Sequence, residues 1–163
     1  MESKENINFI FQLNNKNRSG NFFALFIVGG TLLSAAAITC VAIGEYMLLI
    51  AASVVSILYI LVLNFIKPSF FEMLVTDQSL QVNYYSVAST FRSYQSIEIS
   101  LLELNDFTIA QKLAGLKTTL TLSVQSKYGI ADYPPISISL LTKKEIAQIV
   151  LVLGEILKSK KAT

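Results

Sequence analysis

FFALFIVGGTLLSAAAITCVAIG (residues 22–44) and YMLLIAASVVSILYILVLNFI (residues 46–66) are two apolar runs that are separated only by Glu45. Each run is long enough for a helix that crosses a bilayer, which takes about 20 apolar residues. The connection is so short that the two helices must be antiparallel neighbours. The stretch therefore predicts a transmembrane helical hairpin over residues 22–66.

The first run has a rival interpretation as a cleaved signal peptide. Ala37 to Cys40 loosely resembles a lipoprotein cleavage box, although Thr39 is a poor residue before the cysteine. The run is also longer than the roughly 7–15 residues of a signal-peptide core, and a second span follows at once. The pattern therefore favours a retained anchor.

Basic residues flank the hairpin at its two outer ends. Lys16 and Arg18 precede the first span, Lys67 follows the second, and the connection contains neither lysine nor arginine. Because cytoplasmic flanks carry the excess of Lys and Arg, these three residues are the topology-determining ones. They predict a multi-pass protein of the cytoplasmic (inner) membrane, with both termini in the cytoplasm and Glu45 outside.

Small residues recur at a spacing of four within the spans. Gly30 and Ser34 form one such pair, and Ala52 and Ser56 form another. This spacing places each pair on one helix face, where two backbones can approach closely. We interpret the four as helix-packing residues within the hairpin, and packing between protomers is the alternative. Neither span contains an acidic or basic residue, which disfavours a proton relay or ion-coupled transport.

Composition separates the apolar stretch from an ordinary remainder. The 163 residues are 53% hydrophobic and 15% charged, which is too apolar for a soluble domain, and the excess lies in residues 22–66. A net charge of +2 without a long basic block does not indicate a nucleic-acid partner. The chain has no histidine and only one cysteine, Cys40, which excludes an internal disulfide and a Cys/His zinc site. We expect no catalytic, cofactor-binding or metal-binding residues and no enzymatic activity.

Residues 1–21 form a polar N-terminal segment with one β-like stretch. Ile7, Phe9, Phe11 and Leu13 recur at every second position, which is typical of a strand. A lone strand is unstable in water, so we predict that it pairs with a sheet formed by the C-terminal half. An interfacial segment lying on the lipid surface is the alternative. Residues 14–20 are predicted to be a polar turn.

Residues 67–163 are predicted to fold as a β-domain. Lys67-Pro68 ends the second helix, since proline cannot continue it. In the clearest strand, Leu116, Thr118, Leu120, Leu122 and Val124 are expected to face inward. The predicted strands span residues 69–76, 80–84, 95–99, 102–110, 116–124 and 136–140, and the first two form a hairpin.

The chain ends in a predicted amphipathic helix. Thr142 and Glu145 match a capping box, in which two side chains satisfy free backbone N–H groups at a helix start. An apolar face follows at helical spacing, and we interpret it as covering a sheet. A basic helix lying on the membrane is the rival interpretation. The expected apolar positions are Ile146, Ile149, Val150, Leu153, Ile156 and Leu157.

This layout of a two-span hairpin, several short antiparallel strands and one C-terminal helix resembles the bacterial PH-like membrane proteins, including the YcxB-like type. The resemblance rests on residues 70–84, 96–99, 116–125, 136–140 and 142–158. It implies a split β-barrel close to the cytoplasmic membrane face. Eukaryotic relatives can bind phosphoinositides through clustered Lys and Arg near the first hairpin. Residues 70–86 contain neither, and Glu72 and Asp77 are acidic, so phosphoinositide binding is not expected.

Taken together, the residues and the resemblance predict a membrane-anchored α+β protein. Its expected parts are a cytoplasmic N-terminal segment (1–21), the transmembrane hairpin (22–66) and a cytoplasmic PH-like split β-barrel capped by a helix (67–163). The favoured function is a non-enzymatic interaction or scaffold module, whose partners are the lipid bilayer and a protein or a second copy of the chain. The alternative is a subunit of a small oligomeric pore or transporter.

Overall fold

A computed structural model of the chain describes residues 11–87, 93–112 and 115–161. The fold is α+β, with two long apolar helices, two antiparallel sheets and a C-terminal helix. The elements are β1 Phe11–Asn14, α1 Lys16–Ile43, α2 Tyr46–Ile66, β2 Ser69–Val75, β3 Ser79–Ser86, β4 Gln95–Ser100, β5 Leu104–Lys112, β6 Lys117–Ser126, β7 Gly129–Asp132, β8 Ile136–Ser137 and α3 Lys143–Lys161.

The apolar hairpin consists of α1 and α2. Gly44 ends α1 with φ +76°, a left-handed conformation that glycine adopts without strain. Lys67 ends α2, also left-handed at φ +46°, and Pro68 then prevents the helix from continuing, as predicted. The prediction of a polar turn over residues 14–20 was wrong, because α1 begins at Lys16. Hydropathy marks where a helix becomes apolar, whereas the backbone hydrogen bonds of this helix begin earlier.

The first sheet has the strand order β1-β2-β3-β4, with every pair antiparallel. The hairpin of β2 and β3 is confirmed, with Ser69 opposite Ser86 and Val75 opposite Leu80. The pairing of the N-terminal strand with this sheet is also confirmed, since β1 lies against β2 and Leu13 is buried. Ile7 and Phe9 lie outside the described residues.

The second sheet has the order β5-β6-β7, and β8 pairs with the other half of β6. Thr118, Leu120 and Leu122 point into the core as predicted. Leu116 was expected to join them but is exposed, because it lies in the turn that precedes β6. Strand β7 was not predicted, since its residues are mostly exposed and do not alternate.

The last predicted strand is shorter than expected, and the last helix is confirmed. Only Ile136–Ser137 pairs as a strand, although Ile138 is also buried. Helix α3 covers the core with Ile149 and Leu153, which are fully buried. Val150 was assigned to this apolar face, but it is exposed, and Val152 packs against the core instead.

Candidate functional site

The hairpin leaves the first sheet between two neighbouring strands, and Asn15 lies at that point. Its backbone N–H donates to the Phe71 carbonyl oxygen at 3.1 Å. Its side chain accepts a hydrogen bond from the Phe71 N–H at 2.9 Å and donates to the Ser69 carbonyl oxygen at 3.0 Å. Asn15 is buried, and an amide supplies the donor and the acceptor that this position requires. It thereby fixes the start of α1 to the start of β2.

Arg18 connects the first turn of α1 to the start of α3. Its guanidinium donates to both carboxylate oxygens of Glu145, with N–O distances of 2.5 and 2.9 Å. It also donates to the Leu140 carbonyl oxygen at 3.2 Å. This two-pronged geometry is the strong form of an arginine–carboxylate pair. Arg18, which was predicted to determine the topology, therefore also makes a structural contact. Its position in the sequence did not indicate this contact.

Glu145 is also the acidic member of the predicted capping box, which is confirmed. Its carboxylate accepts from the Thr142 N–H at 2.8 Å and the Thr142 hydroxyl at 2.9 Å, while its own N–H donates to the Thr142 hydroxyl oxygen at 3.3 Å. The hydrogen bond from Arg18 is the main reason that the pKa of Glu145 falls to about 2; partial burial opposes this shift, and Thr142 adds to it. One carboxylate thus joins α1 to the cap of α3.

The two helices of the hairpin contact each other at Gly29 and Tyr59. The Tyr59 hydroxyl donates to the Phe26 carbonyl oxygen of α1 at 3.1 Å, and the Phe26 and Tyr59 rings stack. A Cβ atom at Gly29 would lie 2.8 Å from the Tyr59 hydroxyl oxygen, which only glycine avoids. The spacing-of-four pattern did not single out this pair, because a tyrosine is not a small residue.

The four residues predicted to pack the helices differ in how far they are buried. Ala52 and Ser56 are half-buried on the same side of α2 as Tyr59. Gly30 is half-buried, but a Cβ atom there would meet nothing within 4 Å. Ser34 is exposed, and its hydroxyl donates to the Gly30 carbonyl oxygen at 2.9 Å.

Gly29→Ala is expected to weaken the pairing of α1 and α2. The new methyl group would displace the Tyr59 ring and break its hydrogen bond to α1, at a cost of about 1 kcal/mol, near the upper range for such bonds between apolar helices. The measurement is the distance between spin labels at exposed positions 25 and 62 while SDS is titrated into detergent micelles. Gly30→Ala is the matched control, and equal transitions for both variants would contradict the assignment.

A cleft of about 360 Å³ opens where α2 meets the two sheets. Lys67 lies at its edge, and Tyr85 stacks on Phe70 with 4.8 Å between the ring centroids. Burial raises the pKa of the Tyr84 hydroxyl. The described lining carries one ammonium group, several hydroxyls and no carboxylate: Lys67, Ser69, Tyr84, Tyr85, Ser86, Ser93, Gln95 and Ser137, beside Pro135 and Ile136. Such a lining fits a small polar or anionic group.

The described side chains offer little for covalent or metal chemistry. Over residues 11–87, 93–112 and 115–161, no group of three His, Cys, Asp or Glu side chains could hold a metal ion. Ser123 donates to Asp132 across β6 and β7, and these two residues are register partners in the second sheet. This is a cross-strand contact of the kind that stabilises a sheet. The described contacts of Asn15 and Arg18, by contrast, hold the hairpin, the first sheet and α3 in a fixed arrangement.

Comparisons of the chain with protein families, with curated proteins and with solved structures give no match.

Proposed function

We propose that this protein is a non-enzymatic, membrane-anchored interaction module. In this proposal α1 and α2 cross the cytoplasmic (inner) membrane of a bacterium as a multi-pass anchor. The sheets and α3 form a PH-like domain that stays in the cytoplasm with both termini. There it binds a protein partner or a second copy of the chain and so supports a membrane-bound assembly.

The exposure of the apolar helices supports the membrane part of the proposal. Both helices are long and apolar enough to cross a bilayer, but so are some core helices of soluble proteins. A core helix is mostly buried, whereas 0% of the most apolar window of α1 and 6% of that of α2 are buried in this fold. An apolar surface of this size needs lipid or protein to cover it.

The single observation that carries the proposal is that β1 and β2 are paired neighbours in one sheet. Because Asn14 and Ser69 flank the hairpin, its two ends return to the same place, and both must be on the same side of any membrane that it enters. The cations at these ends, Lys16, Arg18 and Lys67, favour the cytoplasmic side.

The contacts at the junction support an interaction role. Asn15 and Arg18 fix the hairpin to the sheet and to α3, so the domain would hold one orientation relative to the membrane. A fixed orientation reduces the entropy cost of binding a partner at the membrane surface. The sequence also lacks histidine, the side chain most often used as a general base.

The hydroxyl groups of the hairpin argue against the pore alternative. Five serine and threonine hydroxyls each donate a hydrogen bond to a carbonyl oxygen of their own helix. Fewer free hydroxyl donors therefore remain to line a water-filled path. The five residues are Thr31, Ser34, Thr39, Ser53 and Ser56.

Reporter fusions test the topology. A reporter that is active only in the cytoplasm is expected to work at the C-terminus and to fail when inserted at Glu45, and one active only outside should give the reverse pattern. A C-terminal domain found outside would contradict the cytoplasmic proposal. A reporter at Glu45 that works in the cytoplasm would contradict the spanning hairpin.

The same C-terminally tagged protein tests the interaction after mild cross-linking in intact membranes. It should recover a stoichiometric partner or a dimer of the chain from detergent extracts. A known membrane complex, tagged and expressed at the same level, serves as the control for recovery. If that complex is recovered but this protein appears only as a monomer, the interaction role is overturned and the anchor is unaffected.

A further inference from the structure

Residues 115–116, directly before β6, lie in a turn beside the end of the apolar hairpin. Leu116 in this turn is 61% exposed, an unusual state for a leucine whose alternate neighbours in β6 are fully buried. It lines an apolar groove of about 180 Å³ with three residues from the last turn of α2: Val62, Phe65 and Ile66. Leu116 therefore extends the apolar surface of α2 sideways onto the β-domain.

Two lysines flank this leucine. Lys112 and Lys117 are register partners at the ends of β5 and β6, and Lys67 directly follows α2. We call Lys67, Lys112, Leu116 and Lys117 the hairpin-side patch. An apolar side chain beside the end of a spanning helix, with lysines next to it in the sequence and in the sheet register, matches the boundary between acyl chains and phosphates.

Lysines lie at both ends of the β-domain, whereas Asp77 and Glu103 lie in the turns of the end opposite the hairpin. The hairpin-side end also carries Lys143 and Lys144 in the first turn of α3, which the Arg18–Glu145 pair places next to α1. At the opposite end Lys127 accompanies the two carboxylates, and Lys160 near the end of α3 donates to the Leu104 carbonyl oxygen at 3.0 Å. The lysines of the hairpin-side end are thus the ones that an anionic surface entered by the hairpin would attract.

We propose that the hairpin-side patch is a lipid-binding surface, on which Leu116 enters the bilayer and Lys67, Lys112 and Lys117 bind the phosphates of anionic phospholipids. This inference rests on the proposed membrane anchor. Its occupant is the leaflet that α2 would leave at Ile66, because Leu116 and Phe65 lie in one groove and so share one depth. The domain then contacts the membrane at a third point in addition to the two helix ends.

The chain contains no tryptophan, so single introduced indoles report the depth of chosen positions. The full chain is reconstituted into vesicles of phosphatidylcholine with a minor fraction of phosphatidylglycerol, and quenching by brominated phosphatidylcholine is measured. Leu116→Trp should be quenched with a blue-shifted emission. Tyr128→Trp, in an 89% exposed position at the opposite end, should not be quenched. Ile57→Trp, on the exposed side of α2, reports insertion of the hairpin itself.

Quenching of I57W without quenching of L116W would overturn the lipid-binding surface and leave the anchor standing. Loss of quenching in I57W would overturn the anchor and the inference together. A second probe at the same position covers the case in which L116W fails to fold. In a Cys40→Ser background, Leu116→Cys is labelled with an environment-sensitive fluorophore, whose emission should also be quenched by the brominated lipid and shifted to the blue.

The lysines are tested through energy transfer from the L116W indole to pyrene-labelled phosphatidylglycerol or phosphatidylcholine. Transfer to the anionic lipid should exceed transfer to the neutral lipid. The ratio of the two transfers gives the local excess of the anionic lipid around Leu116. This excess should fall about fivefold for each lysine replaced in Lys112→Gln and Lys117→Gln. Lys127→Gln, at the opposite end, should leave the excess unchanged. Equal transfer to both lipids in the parent protein would overturn the role of the lysines.

Discussion

Asn15→Ala is expected to lower the free energy of unfolding of the β-domain by about 2–6 kcal/mol, because it leaves two buried backbone groups without a partner at about 1–3 kcal/mol each. These groups are the Phe71 N–H and the Ser69 carbonyl, which the Asn15 side chain satisfies at 2.9 and 3.0 Å. The small alanine side chain cannot replace either hydrogen bond. The measurement is equilibrium urea unfolding of the full chain in detergent micelles, followed by circular dichroism.

Asn14→Ala is the matched control, since the same side chain is removed one residue earlier. Asn14 is exposed, and within the described residues its amide oxygen accepts a long hydrogen bond of 3.4 Å from the Lys16 N–H. The control should change the free energy of unfolding by no more than about 0.5 kcal/mol. Equal losses for the two variants would show that Asn15 does not hold the hairpin to β2.

Glu145→Gln is expected to destabilise the domain by about 1–2 kcal/mol at neutral pH, a range that allows for solvent screening of the half-exposed Arg18. The substitution removes the charge that pairs with Arg18 and weakens the cap of α3. The loss should depend on pH. Because folding lowers the pKa of Glu145 from 4.5 to about 2, its stabilising effect is complete above pH 4.5 and disappears as the pH falls towards 2.

Urea unfolding of the parent protein and the variant across this pH range checks the prediction. Their free energies of unfolding should converge as the pH drops from 4.5 to about 2. Glu155→Gln is the matched control, since it removes an exposed carboxylate from the same helix. Arg18→Gln combined with Glu145→Gln should cost less than the sum of the single changes. A pH-independent difference, or additive losses, would contradict the pairing.

Residue patterns were sufficient to predict the strands with one buried and one exposed face, the start of the C-terminal helix and the two apolar helices. The alternation of Thr118, Leu120 and Leu122, the capping box at Thr142 and the apolar spans all reflect local chemistry that neighbouring residues share. β7 has no such pattern, because it pairs with β6 while its side chains remain exposed. Leu116 fits the alternation of β6 but lies before the strand begins, and so it was placed on the wrong side.

The junction could be predicted only in part. Lys16, Arg18 and Lys67 were identified by their positions beside the apolar runs, which says nothing about their side-chain partners. The partner of Arg18 is 127 residues away in the chain, and the Ser69 carbonyl bound by Asn15 is 54 residues away. Contacts of this kind depend on how the sheets and α3 come together, and a single sequence carries no local sign of them.

The position of the hairpin between β1 and β2 also governs the order in which the protein can assemble. During synthesis β1 is made first, but Ser69, where its partner strand begins, follows Asn15 by 54 residues, after both apolar helices. If these helices insert into a membrane as proposed, β1 must wait on the side where translation occurs until β2 returns there. A chain that inserted only one helix would keep β1 and β2 apart and leave their edges open to aggregation or proteolysis. Closure of the first sheet would then act as a quality check on membrane insertion.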